Sequence, residues 1–173
     1  MLLVATGLLG GCENMKRKLF VLLLAGTGLV GVPARAAADA TLFAGFSPTP
    51  QNRSARGFAI GLNILIVGFE FDYANTREDP AHAAPGLKTG MFNGLVMTPT
   101  SGFQLYGTAG GGVFREYVVG TTETNFGSNI GGGAKIRLVG PLRLRLDYRV
   151  FNLHGSAKYK NPQRFYAGVN LAF

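Results

Sequence analysis

The chain of 173 residues contains no tryptophan, one cysteine and two histidines, and only 15% of its residues are Asp, Glu, Lys or Arg. A lone Cys12 gives no disulfide framework and no thiol chemistry to argue from. Glycine-rich stretches occur, but none is followed by a G-K-[ST] and a helix pattern, which excludes a phosphate-cradling loop. The formal charge of +8 lacks the aromatic-interleaved basic stripe of a nucleic-acid binder, so no nucleic acid is expected as a partner. The one long apolar run, Leu19 to Val32, is too short for a comfortable helical span of a bilayer. What the chain has in quantity is glycine (26) and phenylalanine (13), placed in alternating patterns.

The apolar run belongs to the chain's start. Lys16, Arg17 and Lys18 precede it, and A-x-A sites follow at Ala34–Ala36 and Ala36–Ala38, so residues 15–38 read as a secretory signal cleaved before Ala37 or Asp39. Residues 1–14 read as an upstream stretch ahead of a true start at Met15. The Leu9-Gly-Gly-Cys12 run looks like a lipobox, but no basic residue precedes it. Removing residues 1–38 leaves 13 Lys and Arg against 8 Asp and Glu.

From residue 39 to 173 the pattern has period 2, the signature of strands with one apolar face. Eight runs are expected near 40–47, 55–62, 65–73, 87–97, 103–115, 125–138, 142–150 and 163–173. The seventh is the plainest: Leu142, Leu144, Leu146, Tyr148 and Val150 alternate with Arg143, Arg145, Asp147 and Arg149. The fourth is the least regular, with Leu87, Met91, Leu95 and Met97 sharing a face with Asn93. Connections are expected to alternate long and short, including a polar loop over 116–124 and a very tight turn near Asn63. An even number of strands with loops sorted by parity fits an eight-stranded antiparallel up-and-down transmembrane β-barrel. In such a barrel the leucines of the seventh run face lipid and the arginines face the lumen.

An eight-stranded barrel is just wide enough for side chains to fill it, and ions placed there must be paired. Inward phasing predicts a lumen ion-pair network of Glu70, Asp72 and Asp147 with Lys135, Arg137, Arg143, Arg145, Arg149 and Arg164. Gly110–Gly112 and Gly131–Gly133 fall in adjacent strands, where they are expected to face one another and relieve crowding.

Three internal segments carry a family resemblance: Gly107 to Val113, Gly131 to Arg137 and Pro141 to Arg149. The ending Phe165-Tyr-Ala-Gly-Val-Asn-Leu-Ala-Phe173 completes it. Over about 40–173 the chain resembles the small outer-membrane barrels of the OmpA transmembrane-domain and OmpX type, a porin-family fold of the Gram-negative cell envelope. The resemblance implies an outer-membrane location, with lipid and lipopolysaccharide as surroundings. It also implies insertion by the barrel-assembly machinery through a C-terminal signal made of Phe165, Val169, Leu171 and Phe173. Lys158 and Lys160 would lie near anionic lipopolysaccharide headgroups.

Fold does not fix function. The expectation is a non-enzymatic barrel, structural or binding an extracellular ligand through its loops, without cofactor or metal. The alternative is a lipid A-modifying hydrolase: His154-Gly-Ser156 resembles the His-x-Ser pair of lipid A deacylases, in which His is the base for the Ser nucleophile. That family's orienting acid has no counterpart here, since the matching neighbourhood is Tyr166-Ala-Gly168. His82, beside Glu78 and Asp79, has the composition of an ordinary surface loop. A narrow pore is the third reading, disfavoured by a filled lumen.

Overall fold

Alternating side chains need two different environments, and the chain supplies them by closing one sheet on itself. The computed structural model describes residues 36–100, 102–118 and 121–173. The stretch 1–14 and residues 15–35 of the expected signal segment lie outside the described residues. Eight strands follow: β1 (Ala36–Ser47), β2 (Arg53–Ile64), β3 (Val67–Thr76), β4 (Gly86–Met97), β5 (Phe103–Val118), β6 (Thr121–Val139), β7 (Leu142–Leu153) and β8 (Gln163–Ala172). Each pairs antiparallel with the next, and β1 pairs with β8, which makes a closed eight-stranded barrel. Closure leaves no unpaired strand edge.

The connections sort to two ends. Residues 48–52, 77–85 and 154–162 join strands at one end, called here the loop end, where β5 also gives way to β6; residues 65–66 and 140–141 join them at the turn end, where β4 gives way to β5. The polar loop expected over 116–124 is instead ladder, since Arg115 to Val118 pair with Thr124 to Thr121. The two strands outrun the apolar belt there, and their Thr and Glu residues alternate without a greasy face to mark them. The tight turn sits at Leu65 and Ile66, two residues beyond Asn63, with Leu65 in the left-handed region at φ 57°. β1 begins three residues ahead of the expected boundary at 39, and Ala38 exchanges both backbone hydrogen bonds with Phe173 at 2.8 and 2.9 Å.

The outside is apolar. Leu42, Phe69, Phe92 and Phe126 are each more than 60% exposed. Ile60, Leu62, Leu105, Ile130, Leu146 and Val169 are exposed on the same outer wall. A water-soluble chain rarely exposes a contiguous apolar patch beyond a few hundred Å²; a wall of this kind is solvated by hydrocarbon. Arg145 and Arg149, which alternate with Leu144, Leu146 and Tyr148, are fully buried inside.

The glycine triplets do not oppose one another as expected. Gly110 to Gly112 pair with Asn129, Ser128 and Gly127, while Gly131 to Gly133 pair with Thr108, Gly107 and Tyr106. Gly133 still relieves crowding: a Cβ there would lie 2.1 Å from the Leu146 carbonyl oxygen and 2.5 Å from the Tyr106 hydroxyl.

Candidate functional site

The barrel interior holds three layers. In the middle lies a network of ions. Arg145 on β7 grips Glu70 on β3 with both terminal nitrogens, the Nη2–Oε1 bond at 3.0 Å. The same guanidinium donates to Asp147 Oδ2 at 3.0 Å and, through Nε, to the Tyr106 hydroxyl at 2.8 Å. Arg149 donates to Asp147 Oδ1 at 2.9 Å, to Glu70 Oε1 at 2.8 Å and to Asp72. Arg164 on β8 reaches Asp72 Oδ1 at 3.1 Å and Thr89 Oγ1 at 3.0 Å. Lys135 on β6 donates to Asp39 Oδ2 at 2.5 Å.

Four cations (Lys135, Arg145, Arg149, Arg164) thus meet four carboxylates (Asp39, Glu70, Asp72, Asp147), and the layer is electrically neutral. Neutrality alone would not suffice. Taking an ion out of water costs several kcal/mol even after relaxation, and only good geometry with extra hydrogen bonds offsets that. The extra bonds are present: Asn93 donates to Asp72 at 2.7 Å, Asn129 to Asn93 at 2.8 Å and Asn63 to Asp39 at 2.8 Å. Aromatic faces help. The Arg164 guanidinium lies 4.7 Å from the Phe151 ring centroid and Arg145 lies 5.0 Å from that of Tyr106, positions of cation–π attraction.

Above this layer, toward the loops, Leu87, Met91, Phe114, Phe151, Leu153 and Ala157 form a buried apolar cluster. Below it, toward the turns, Leu95, Met97 and Tyr106 form another. Leu87, Met91, Leu95 and Met97 of β4 therefore point inward, together with Thr89 and Asn93, and the strand's outer face is Lys88, Gly90, Phe92, Gly94 and Val96. This inversion is why β4 was the least regular run.

Two predicted members stand outside the network. Arg137 is exposed and Arg143 is only partly buried; the two face each other across β6 and β7 at the turn end and form no ion pair. Arg137 stands in water at the mouth, where solvent takes the place of a carboxylate. Asp39 was missed because it fell on the expected processing boundary; its alternation with Thr41 and Phe43 was the signal available. Asn63, Asn93 and Asn129 carry no charge and so left no mark in a count of ions.

At the loop end the connections are tied together. Arg53 donates to the carbonyls of Thr49, at 2.6 Å, and Pro85. Lys158 donates from Nζ to the Ala83 carbonyl at 2.5 Å and from its backbone to Glu116 Oε2 at 3.1 Å. Lys158 is therefore committed to holding two loops together, while Lys160 is exposed. A 3-10 turn, Pro80–His82, is capped by Asp79, which accepts from the Ala81 amide at 3.1 Å and contacts His82 Nδ1 at 2.8 Å. The hydrogen bond with His82 holds the Asp79 carboxyl below its ordinary pKa.

His154 and Ser156 both lie exposed in the last loop, and no hydrogen bond joins the imidazole to the hydroxyl. Gly155 between them takes a φ of +83° against Asn125. Among the described residues no group of three or more His, Cys, Asp or Glu could hold a metal ion. At the chain's end Phe165, Val169, Leu171 and Phe173 all face outward.

No protein-family model matches the chain, and no curated protein matches its sequence. Solved structures match its fold. The N-terminal β-barrel domain of Pseudomonas aeruginosa OprF superimposes with a TM-score of 0.63 at 16% identity, covering 81% of this chain and 99% of that one. Neisserial surface protein A gives 0.60 at 19% identity, over 80% and 96% of the two chains. Ail, the attachment invasion locus protein of Yersinia pestis, gives 0.52 at 14%, over 80% and 98%. The chain has the fold of the small eight-stranded outer-membrane β-barrels.

Proposed function

We propose that this chain, a barrel of the small outer-membrane type, resides in the bacterial outer membrane and acts there without catalysis. Its role in this reading is to present a stiff loop platform to the cell surface, structurally or toward an extracellular ligand. The observation that carries the reading is the neutral layer of mutually paired ions under an apolar cap. Lys135, Arg145, Arg149 and Arg164 each meet a carboxylate, which supports a lumen filled by its own side chains and not open to solutes. His154 and Ser156 lack the nucleophile–base contact and the orienting acid that acyl transfer requires, which argues against the deacylase reading.

The outward Phe165, Val169, Leu171 and Phe173 form the signal read by the assembly machinery in this account. Export begins with a cleaved segment, and cleavage before Ala37 is favoured over cleavage before Asp39, because only the former keeps Ala38 as Phe173's partner.

Three measurements on the full chain test the reading. Fractionation with a heat-modifiability gel is expected to find a folded barrel in the outer membrane. Planar bilayers are expected to show no conductance above leak; steady channels would overturn the filled lumen. Mass spectra of lipid A from cells with and without the protein are expected to match, and an acyl loss abolished by Ser156→Ala would establish the hydrolase instead.

A further inference from the structure

The outer wall is apolar, yet three cations stand on it in one row. Arg56 on β2, Asn75 on β3, Lys88 on β4, Arg115 on β5 and Thr124 on β6 are consecutive cross-strand partners, and all point outward. The residues two places nearer the turn end in the same strands, Phe58, Tyr73, Gly90, Val113 and Phe126, form the next row, which is apolar or aromatic. The cations therefore mark the edge where hydrocarbon gives way to headgroups on the loop side.

Lys88 and Arg115 sit directly opposite one another. Like charges in that position repel, and among the described residues neither has a carboxylate within ion-pair distance. They are nonetheless held in place: Lys88 Nζ lies 4.9 Å from the Tyr117 ring centroid, and Arg115 Nε donates to Thr124 Oγ1 at 3.1 Å. Directly beneath them runs a groove of about 620 Å³ in the outer wall, sided by Phe71, Phe92, Val113 and Phe126, with Gly90 in its floor. A pair of opposed, unneutralised cations above an apolar channel has the charge and polarity pattern of one kind of occupant.

We infer that Lys88 and Arg115, with Arg56 flanking, bind the phosphate headgroup of an anionic lipid of the loop-side leaflet, whose acyl chain lies in the groove walled by Phe71, Phe92, Val113 and Phe126. The phosphate oxygens accept from both side chains, turning a repulsive pair into two charge-assisted contacts. Glycine at position 90 lets the chain lie against the backbone of the wall. This inference rests on the proposed membrane location and adds to it a particular seat for a particular headgroup.

The absence of tryptophan supplies the assay. Two single-tryptophan proteins, Phe92→Trp at the groove and Val169→Trp on the far wall, are reconstituted in vesicles of phosphatidylcholine containing either brominated phosphatidylcholine or brominated phosphatidic acid, and quenching is compared. At position 92 phosphatidic acid is expected to be preferred by roughly fivefold or more, given the attraction of about two cations at a membrane surface, and at position 169 not at all. Lys88→Gln with Arg115→Gln is expected to bring the ratio at 92 to about one, while a heat-modifiability gel still shows a folded barrel. Equal quenching by both lipids at position 92, or a preference that survives the double change, would overturn the site while leaving the barrel reading intact. Absence of quenching by either lipid at both positions would instead sink the membrane reading on which the site rests.

Discussion

Around Arg149 the lumen contains Glu70, Asp72 and Asp147, with each guanidinium nitrogen assigned to an oxygen. Farther toward the loops the same tube contains Met91, Phe114, Phe151 and Leu153, packed as apolar bulk. Both fillings occupy a bore too narrow to leave empty, but they constrain the chain differently. A guanidinium with several fixed acceptors tolerates no shift of register, because a slip by one residue sends it to the lipid face. Methionine and phenylalanine accept many packings. The apolar layer contributes something else: it keeps water from the ions below, and their mutual attraction is stronger in a low dielectric. One layer specifies the pairing of the strands and the other shields it.

The contrast can be broken most violently at its centre. Arg149→Met leaves Asp147, Asp72 and Glu70 crowded with too few cations, and breaking a buried pair from one side costs about 3–5 kcal/mol. Urea unfolding of vesicle-inserted protein, followed by the gel shift of the folded form, is expected to show that loss or a failure to insert. Phe151→Ala attacks the shield. The truncation is expected to cost about 3 kcal/mol and to make the remaining stability more sensitive to salt, as water reaches Arg164.

A third experiment sharpens the comparison by turning one material into the other. Lys135→Met alone strands Asp39, whereas Lys135→Met with Asp39→Leu replaces a buried pair by apolar bulk. The double variant is expected to unfold within about 1 kcal/mol of the parent, since such replacements are often neutral or better. A double variant as damaged as the single one would mean that the charges themselves, and not their balance, are required.

The smallest effect lies in the loops. Asp79 has its carboxyl pKa lowered chiefly by the hydrogen bond with His82. A depressed carboxyl adds stability above its unfolded pKa and loses it as pH falls through the folded value. The 79–84 turn is therefore expected to hold at neutral pH and to loosen only below the ordinary aspartate range. An NMR titration of the Ala81 amide should show that midpoint, and Asp79→Asn should remove it.

The architecture was legible where one face of a strand meets lipid and the other meets ions, as in β7, whose Leu–Arg alternation identifies both sides at once. Legibility failed where that contrast vanishes. β4 carries Leu87, Met91, Leu95 and Met97 inward because it passes through both apolar layers, while Phe92 and Val96 face out, so neither face stood out as the lipid side. The far ends of β5 and β6 carry Arg, Glu and Thr with no apolar face, and so read as loop. Arg137 and Arg143 had the right phase but the wrong height, where solvent competes with carboxylates. Phase is written in the sequence; depth along the barrel depends on register, which only the paired strands reveal.

The joint between β1 and β8 brings Asp39 beside Ala172 and Ala38 beside Phe173, the two extremes of the described chain. Every other pairing is between neighbours in sequence and can form as the chain arrives. This last one waits for β8, so until then the sheet is an open ribbon with two free edges, and Lys135 has no acid to meet. A chain that lacks β8 loses the fastening itself, and the cylinder stays unlatched.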